Sequence, residues 1–156
     1  MRRSVFRDFA RLVVLARFLG AADPEDVAQE AFARLHERIG RLHDADAAAG
    51  YVRKVVINLV RAEHRSRLTR RRHVVPAWAW DRVITGPDEA VGNSVLADAV
   101  AALPSREREA VALRFWLDLP YEQIGEVMGV SAGTARSHVS HAISSLRTMS
   151  GEDVHG

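Results

Sequence analysis

Residues 121–147 read YEQIGEVMGVSAGTARSHVSHAISSLR, and this stretch decides the fold expected for the C-terminal part of the chain. Apolar residues recur at helical spacing on both sides of Gly129, which can take the left-handed conformation that ends a helix. Ser131 is a good N-cap for a following helix, and Gly125 would let that helix approach closely. Two helices are therefore expected, at about Tyr121–Met128 and Ala132–Met149. The pattern predicts a helix-turn-helix.

The second of these helices combines an apolar side with an outward polar cluster. The expected buried residues are Ala135, Val139, Ala142, Ile143 and Leu146. The outward polar residues are Thr134, Arg136, Ser137, His138, Ser140 and His141. Such a helix suits the major groove of DNA, where short polar side chains and an arginine reach phosphates and base edges. An ordinary helical hairpin with a polar face is the alternative.

Metal binding and enzymatic catalysis find little support in the sequence. His138 and His141 are three residues apart, but no Asp, Glu or Cys in the same helix completes a metal site. The chain contains no cysteine, which excludes disulfides, Cys-based zinc sites and thiol catalysis. We therefore expect no metal, no cofactor and no enzymatic activity. A small metal-dependent nuclease is the weakest rival hypothesis, resting only on the chain's seven histidines.

The remainder of the chain also has helical periodicity, without convincing strand alternation. We predict an all-α protein of two small helical domains joined by a flexible linker, with domains at 1–73 and 94–150. The linker, 74–93, reads VVPAWAWDRVITGPDEAVGN and contains two prolines and two glycines. Trp78 and Trp80 within it either pack on their own domain or form a docking surface for a partner protein. In the second domain, Ser105 is the expected N-cap of the helix that follows it.

Three helices are expected in the first domain. One runs from about Ser4 to Leu19 and ends at Gly20; a second is capped by Asp23, with Pro24 in its first turn; a third begins near Ala47. The buried stripe expected on the first helix is Val5, Phe9, Leu12, Val13, Ala16 and Leu19. On the second it is Val27, Ala28, Ala31, Phe32, Leu35 and Ile39. On the third it is Val52, Val55, Val56 and Leu59.

Charge is strongly segregated along the chain. Between Tyr51 and His73 there are eight Lys or Arg residues and a single acid, Glu63, so this segment carries +7 whereas the whole chain carries +2. A basic block of this kind attracts phosphate backbones through the release of counterions. A solvated, partly disordered run of charge is the alternative.

No apolar run is long enough to cross a bilayer, and Arg and Asp residues interrupt the N-terminal apolar patch. A cytoplasmic protein without membrane insertion is therefore expected.

An acidic stretch precedes the basic block. Residues 23–35 read DPEDVAQEAFARL and predict a helix whose outer side brings Asp26, Gln29 and Glu30 together. Like charges four residues apart cost a helix about 0.2–0.5 kcal/mol, which favours a use for this face. A solvated face, partly offset by a Glu30–Arg34 pair, is the alternative.

These segments together match a known family. The chain resembles a bacterial extracytoplasmic-function (ECF, group 4) RNA polymerase sigma factor over nearly its whole length, from about Phe6 to Arg147. ADPEDVAQEAFARL is similar to region 2.2, and YVRKVVINLVRAEHRSR is similar to regions 2.3 and 2.4. ALPSREREAVALRFWLDLPYEQIGEVMGVSAGTARSHVSHAISSLR is similar to regions 4.1 and 4.2. Tyr51 stands where the family usually has Trp, and Ala62 stands where Asp is common.

The resemblance implies a protein that binds core RNA polymerase, directs it to promoter DNA and helps to open the duplex. Region 2.2 binds the clamp of the largest polymerase subunit, and its polar face is matched by Asp26, Gln29 and Glu30. Asn58 matches the residue that reads a flipped base of the minus-ten element. The other expected minus-ten contacts are Tyr51, Arg53, Lys54, Arg61, His64 and Arg65. Arg136, Ser137, Ser140 and His141 match positions that meet the minus-thirty-five element, with Thr134 and His138 in the same cluster.

Two further expectations follow from the resemblance. Many relatives are held inactive by an anti-sigma factor, so such a partner is expected for this chain. His141 replaces a frequent Arg, so its attraction for phosphate should depend on pH.

The main rival hypothesis is a helix-turn-helix regulator that binds DNA without polymerase. The acidic helix argues against that rival, because such a regulator has no need of a clamp-binding face.

Overall fold

The computed structural model describes residues 2–42, 44–70 and 94–149, and side-chain surroundings for 8–42, 44–66 and 98–149. Every regular element in these ranges is helical, which confirms the all-α prediction. Contacts divide the chain into two compact units, Met1–Val74 and Val75–Gly156. The predicted linker, 74–93, with Trp78 and Trp80 lies wholly outside the described residues, as do the two arginines 71 and 72 of the basic block.

The first unit contains three long helices. They are α1 (Arg2–Phe18), α2 (Pro24–Arg38) and α3 (Ala45–Arg70), with one 3₁₀ turn (Ile39–Arg41) between the second and third. Gly20 follows α1 with a φ of +91°, a conformation that glycine adopts without strain. Asp23 caps α2 as predicted, since its Oδ1 accepts a hydrogen bond from the Asp26 amide at 3.1 Å. Asp44 does the same for α3 by accepting from the Ala47 amide at 2.8 Å.

The core of this unit lies where the three helices meet. Its fully buried residues are Leu15, Ala16, Ala28, Ala31, Val56 and Ile57. The rings of Phe9 and Phe32 join α1 to α2 with centroids 5.8 Å apart. The stripe predicted for α1 was partly wrong, because Leu15 and Phe18 are buried whereas Phe9 and Val13 are only half-buried. The side chain of Val5 lies outside the described residues.

Four other predicted core positions of the first unit are less buried than expected, and two of them, Phe32 and Leu35, are half-buried on α2. Ile39 is 55% exposed, since α2 ends at Arg38 and the chain turns into the 3₁₀ segment before Ile39 can reach the core. Leu59 of α3 is half-buried, and its place in the core is taken by Ile57 and Val60.

The second unit is built from shorter helices. They are α4 (Ser94–Ala101), α5 (Ser105–Val111), a π-helical segment (Ala112–Trp116), α6 (Tyr121–Met128) and α7 (Ala132–Met149). The bounds of α6 and α7 agree with those predicted. Ser105 is not the N-cap of α5: Pro104 takes that position, its side chain offers no acceptor, and Ser105 is already helical.

The π-helical segment changes which side chains the chain buries after α5. The Leu117 amide donates to the carbonyl of Ala112, five residues back, at 3.2 Å, and Asp118 follows with a φ of +55°. Leu113 and Leu117 are thereby buried, whereas Phe115 remains 62% exposed. After this segment Leu119 is again buried in the core, two residues before α6 begins.

Arg108 ties α5 to the end of α4. Its Nη2 donates to the carbonyl oxygens of Ala101 at 2.8 Å and Leu103 at 3.0 Å, groups that a helix end leaves without a helical partner. Burial lowers the pKa of Arg108, and the charge of Glu109 partly opposes that effect. The side chain nevertheless stays charged, because an arginine keeps its proton throughout the ordinary pH range.

Candidate nucleic-acid interface

The turn between α6 and α7 fixes the angle of the helix-turn-helix. Gly129 is left-handed (φ 79°, ψ 32°), and the amides of Gly129 and Val130 both donate to the carbonyl of Gly125, at 2.8 and 2.9 Å. A Cβ on Gly125 would lie 2.5 Å from the Val130 carbonyl oxygen, so only glycine permits this approach. Ser131 then caps α7 by accepting from the Thr134 amide at 3.1 Å. All three predictions for this turn are confirmed.

The outward face of α7 carries the residues predicted to touch DNA. Ala135, Val139 and Ala142 are buried against the rest of the unit, whereas Ile143 and Leu146, also predicted to be buried, are half-buried. The exposed members of the predicted set are Thr134, Arg136, Ser137, Ser140 and His141, and His138 is half-buried. Thr134 is already partly engaged, because its hydroxyl accepts a hydrogen bond from Ser131 Oγ at 3.0 Å. The helix therefore presents one exposed polar surface, as recognition of a DNA groove requires.

Arg136 is held against an aromatic ring. Its Cζ lies 4.9 Å from the ring centroid of Tyr121, the first residue of α6. Arg114, from the π-helical segment, also places its Cζ 4.6 Å from the same centroid. Neither Arg114 nor Tyr121 was predicted to be a site residue, and helical periodicity does not pair them, because a turn of irregular backbone separates them.

The basic helix α3 also has one outward face. At about 100° of rotation per residue, Tyr51, Lys54, Asn58, Arg61 and Arg65 fall within roughly 80° of arc. Lys54, Asn58 and Arg65 are exposed, and Tyr51 and Arg61 are half-buried. Opposite them Val56 and Val60 are buried. The structure therefore brings together five of the seven predicted minus-ten residues.

Arg53 and His64 lie on the flank of α3, about 120° and 100° from the centre of that face. Burial is the main cause that lowers the pKa of Arg53, and the positive charge of Arg11 lowers it further. The negative charges of Asp8 and Asp46 raise it. His64 places its Nε2 3.3 Å from the Gly20 carbonyl oxygen. His64 thus contacts the segment that follows α1, whereas Arg53 is half-buried near charged residues of α1.

Glu63, the one acid in the basic block, is part of the same packing. Its Oε1 accepts a hydrogen bond from the Ala22 amide at 2.5 Å, across 41 residues of sequence. Glu63 therefore has a structural role, because it holds the connection between α1 and α2 against α3.

Arg38, at the end of α2, lies over the ring of Tyr51 at 5.7 Å. This adds a cation beside the outward face of α3 that sequence reasoning did not identify. Since thirteen residues and a change of element separate the pair, nothing in the sequence pattern signals the contact.

The predicted acidic face is present on α2. Asp26, Gln29 and Glu30 are exposed, and Val27, Ala28 and Ala31 are buried on the other side. Glu30 pairs with Arg34, whose Nε donates to Oε2 at 2.9 Å, as the alternative hypothesis anticipated. Both side chains of this pair are about half exposed, so it contributes only about 0.3–0.5 kcal/mol and leaves the face available.

Glu37 extends this face and was not among the residues predicted for it. It is exposed and lies seven residues after Glu30, a spacing that returns to nearly the same side of a helix. The repeat was readable from the sequence, since Asp26, Glu30 and Glu37 follow the spacing i, i+4, i+11.

Two other kinds of site are absent from the part of the chain that the structure describes. No group of three or more His, Cys, Asp or Glu side chains in this part of the chain is placed to hold a metal ion. Among the described helices, none has the length and apolar character needed to cross a membrane.

Comparisons with known proteins agree on one family. The family model described as "Sigma-70, region 4" matches residues 94–146. The RNA polymerase sigma-E factor of Streptomyces antibioticus is 31% identical over 127 residues, covering 80% of this chain and 69% of that protein. The ECF RNA polymerase sigma factor SigE of Mycolicibacterium smegmatis is 33% identical over 132 residues, covering 80% of this chain and 51% of that protein. The chain belongs to the ECF RNA polymerase sigma factors.

The fold of this sigma factor is also seen in a solved structure. The sigma factor RpoE of Bartonella quintana, crystallised with the anti-sigma factor NepR, has a TM-score of 0.79 and 16% sequence identity. The likeness covers 95% of this chain and 94% of that one. At this identity the comparison establishes the fold.

Family membership decides between the two DNA-binding hypotheses. As an ECF sigma factor, the protein binds core RNA polymerase and promoter DNA and directs promoter-specific initiation of transcription. The rival hypothesis of a regulator that acts without polymerase is therefore set aside.

Proposed function

We propose that the two helical units of this sigma factor divide promoter opening from promoter reading. Residues 1–73 would act as region 2, which binds core polymerase and the minus-ten element. Residues 94–150 would act as region 4, which binds the minus-thirty-five element, and 74–93 would connect them. The observation that carries the proposal is the presence of three outward faces of different character: acidic on α2, basic on α3 and polar on α7.

The face of α3 has the chemistry needed to hold an unpaired strand. Opening a duplex requires a cationic surface that follows the backbone, together with polar or aromatic groups for bases taken out of the stack. Lys54, Arg61 and Arg65 supply the charge, and Asn58 lies between them with both amide donor and acceptor groups. Tyr51, with Arg38 over its ring, supplies an aromatic surface one turn earlier. Arg53 and His64 would contribute by packing this helix rather than by direct contact.

The face of α7 has the chemistry needed to read a duplex. Arg136 can donate two parallel hydrogen bonds to guanine, and Ser137, Ser140 and His141 are short enough to reach phosphates or base edges. Thr134 and His138 flank this surface. Arg136→Ala should weaken binding to a preferred promoter about 5- to 150-fold, corresponding to 1–3 kcal/mol, if it contacts a base in this way. A loss that is equal for all DNA sequences would indicate a phosphate contact.

The acidic face of α2 would bind core polymerase. Asp26, Gln29 and Glu30 are exposed and complementary to a basic partner surface. The test measures binding of full-length variants to purified core polymerase by fluorescence anisotropy. Asp26→Ala and Glu30→Arg should each weaken binding at least about fivefold, the effect of losing 1 kcal/mol at an interface.

Glu25→Ala is the matched control for that test. Glu25 is exposed and carries the same charge, but it points about 100° away from Asp26 and about 140° away from Glu30, and the member of the face nearest to it is the uncharged Gln29. Glu25→Ala should therefore lose clearly less affinity for core polymerase than Asp26→Ala or Glu30→Arg. Equal affinities for Asp26→Ala, Glu30→Arg and the control would refute the assignment of this face.

Transcription in vitro with purified core polymerase tests the function as a whole. The sigma factor should direct initiation from a limited set of genomic promoters, and mapping of their start sites would define both recognition elements. We further propose that it acts in the cytoplasm, where polymerase and chromosome are found, and that it performs no catalysis of its own.

We also propose that an anti-sigma factor controls this protein. The support is the structural relative of the same fold, which was crystallised with its anti-sigma factor. Purification from cells in which the mapped promoters are silent should yield a complex with an inhibitory protein, and adding that protein to pure sigma factor should prevent binding to core polymerase. Recovery of the sigma factor bound only to core polymerase from such cells would contradict this control.

A further inference from the structure

Two arginines from different elements meet at the ring of Tyr121. Arg136 belongs to the outward face of α7, Arg114 to the π-helical segment, and Tyr121 to the start of α6. Their guanidinium carbons lie 4.9 and 4.6 Å from the ring centroid, well within the range of a cation–π interaction. The ring therefore links the DNA-facing helix to a part of the unit that does not belong to the helix-turn-helix.

Arg114 is anchored on the protein side of this cluster. Its Nη1 donates to the carbonyl oxygen of Leu119 at 3.0 Å, and its side chain is half-buried. Leu119 is itself buried, and its amide donates to the carbonyl of Leu113 at 3.1 Å. Arg114 is thus held in place by the core, and it can hold the Tyr121 ring in turn.

Arg136 is the exposed member of the cluster. Within residues 98–149 no carboxylate is paired with Arg136 or with Arg114, so no acidic side chain of that range neutralises the two positive charges that share one ring. An anionic partner such as DNA would relieve their mutual repulsion. Since the guanidinium carries its five donors in its own plane, stacking on a ring leaves those donors available for phosphate or guanine.

Holding Arg136 in advance has a consequence for binding. A free arginine side chain loses much rotational freedom when it is fixed on DNA, and this loss weakens the complex. A side chain already stacked on a fixed ring loses less. The affinity gained in this way should disappear when either the ring or Arg136 is removed.

We propose that Tyr121 is a positioning residue that orients Arg136 for contact with the upstream promoter duplex, and that Arg114 fixes the Tyr121 ring. This inference rests on the proposed role of α7 in reading the minus-thirty-five element. In this proposal the specificity of α7 for DNA depends partly on residues that lie outside its polar face.

A double-mutant cycle in the holoenzyme tests the proposal. The probe is a promoter duplex selected from random-sequence DNA by the unchanged holoenzyme, and the control probe has its upstream element scrambled. Tyr121→Leu should weaken binding to the selected duplex about two- to fivefold, the loss expected for one exposed cation–π contact. The same substitution in an Arg136→Ala background should have no further effect. Tyr121→Phe, which keeps the ring, should bind as the unchanged protein does.

Several results would overturn the proposal. An equal loss from Tyr121→Leu with and without Arg136 would show that the ring acts independently of that arginine. A loss from Tyr121→Phe as large as that from Tyr121→Leu would assign the effect to the tyrosine hydroxyl. If Tyr121→Leu is unfolded by circular dichroism, Arg114→Gln replaces it, and its effect must likewise vanish in the Arg136→Ala background.

Failure of the underlying function has a different signature. If the proposed role of α7 is wrong, Arg136→Ala will bind the selected duplex as tightly as the unchanged protein, and scrambling the upstream element will have no effect. If only the positioning role is wrong, both of these changes will weaken binding while the cycle shows no coupling.

Discussion

Gly125→Ala should destabilise the second unit although alanine favours helix formation. The added Cβ would lie 2.5 Å from the Val130 carbonyl oxygen, 3.1 Å from the Ser131 carbonyl carbon and 3.3 Å from the Ala132 amide nitrogen. An ordinary contact needs at least 3.4 Å, so the turn must move by about 0.9 Å. All three neighbours are backbone atoms, and the Gly125 carbonyl already accepts two short hydrogen bonds from this turn. The strain has no flexible side chain to absorb it.

The magnitude follows from two opposing effects. Overpacking of a close contact costs about 1–3 kcal/mol, and a contact with fixed backbone lies in the upper part of that range. Replacing glycine by alanine inside a helix returns about 1 kcal/mol. The net loss in the free energy of unfolding should be about 1–2 kcal/mol. For a unit of this size, that lowers the melting temperature by at least about 4 °C.

Gly133→Ala is the matched control. Gly133 lies in the first turn of α7, and the nearest atom to an added Cβ is Ser131 Oγ at 3.9 Å. This substitution should raise the melting temperature by about 2–8 °C, because only the helix propensity changes. Thermal unfolding followed by circular dichroism gives the shifts, and hydrogen exchange with mass spectrometry assigns them to residues 94–149. If Gly125→Ala stabilises the unit as Gly133→Ala does, the close approach does not set the angle between α6 and α7.

Three further perturbations address other parts of the protein. Arg108→Met should lower the free energy of unfolding of the second unit by about 2–3 kcal/mol, since two helix-end carbonyls lose a charged donor; chemical denaturation measures it, and a loss below 0.5 kcal/mol would show that water replaces the arginine. Asn58→Ala should slow promoter opening, followed by the fluorescence of 2-aminopurine in the minus-ten element, at least about fivefold, whereas Ser66→Ala on the same helix should leave the rate unchanged. Glu37→Arg should weaken binding to core polymerase severalfold, more at low than at high salt, and salt-independent loss would indicate misfolding rather than lost charge complementarity.

Local signals allowed the helix-turn-helix to be predicted closely. The ends of α6 and α7, the left-handed Gly129 and the cap at Ser131 all depend on residues within a few positions of one another. The same holds for Asp23, whose carboxylate binds an amide three residues away. The outward cluster of α7 and the acidic face of α2 follow from these helices, because helical periodicity fixes which residues share a face.

Where apolar residues crowd together, periodicity alone was insufficient. Residues 12–16 of α1 are all apolar, so several neighbouring stripes fit the pattern, and only packing against α2 and α3 places Leu15 rather than Val13 in the core. Ile39 fits the apolar periodicity of α2, but the helix ends at the preceding residue. At the start of α5, Ser105 offered a capping side chain that the backbone does not use.

The sequence by itself therefore determined the helical class, the recognition helix and the segregation of acidic and basic surfaces, because each is set by neighbours along the chain. Only the tertiary structure decided which basic residues of α3 face outward and which pack inward. His64 approaches a carbonyl 44 residues away and Glu63 accepts from an amide 41 residues away, and such pairings have no local signal. The meeting of Arg114, Tyr121 and Arg136 has the same origin, since three elements bring those side chains to one ring.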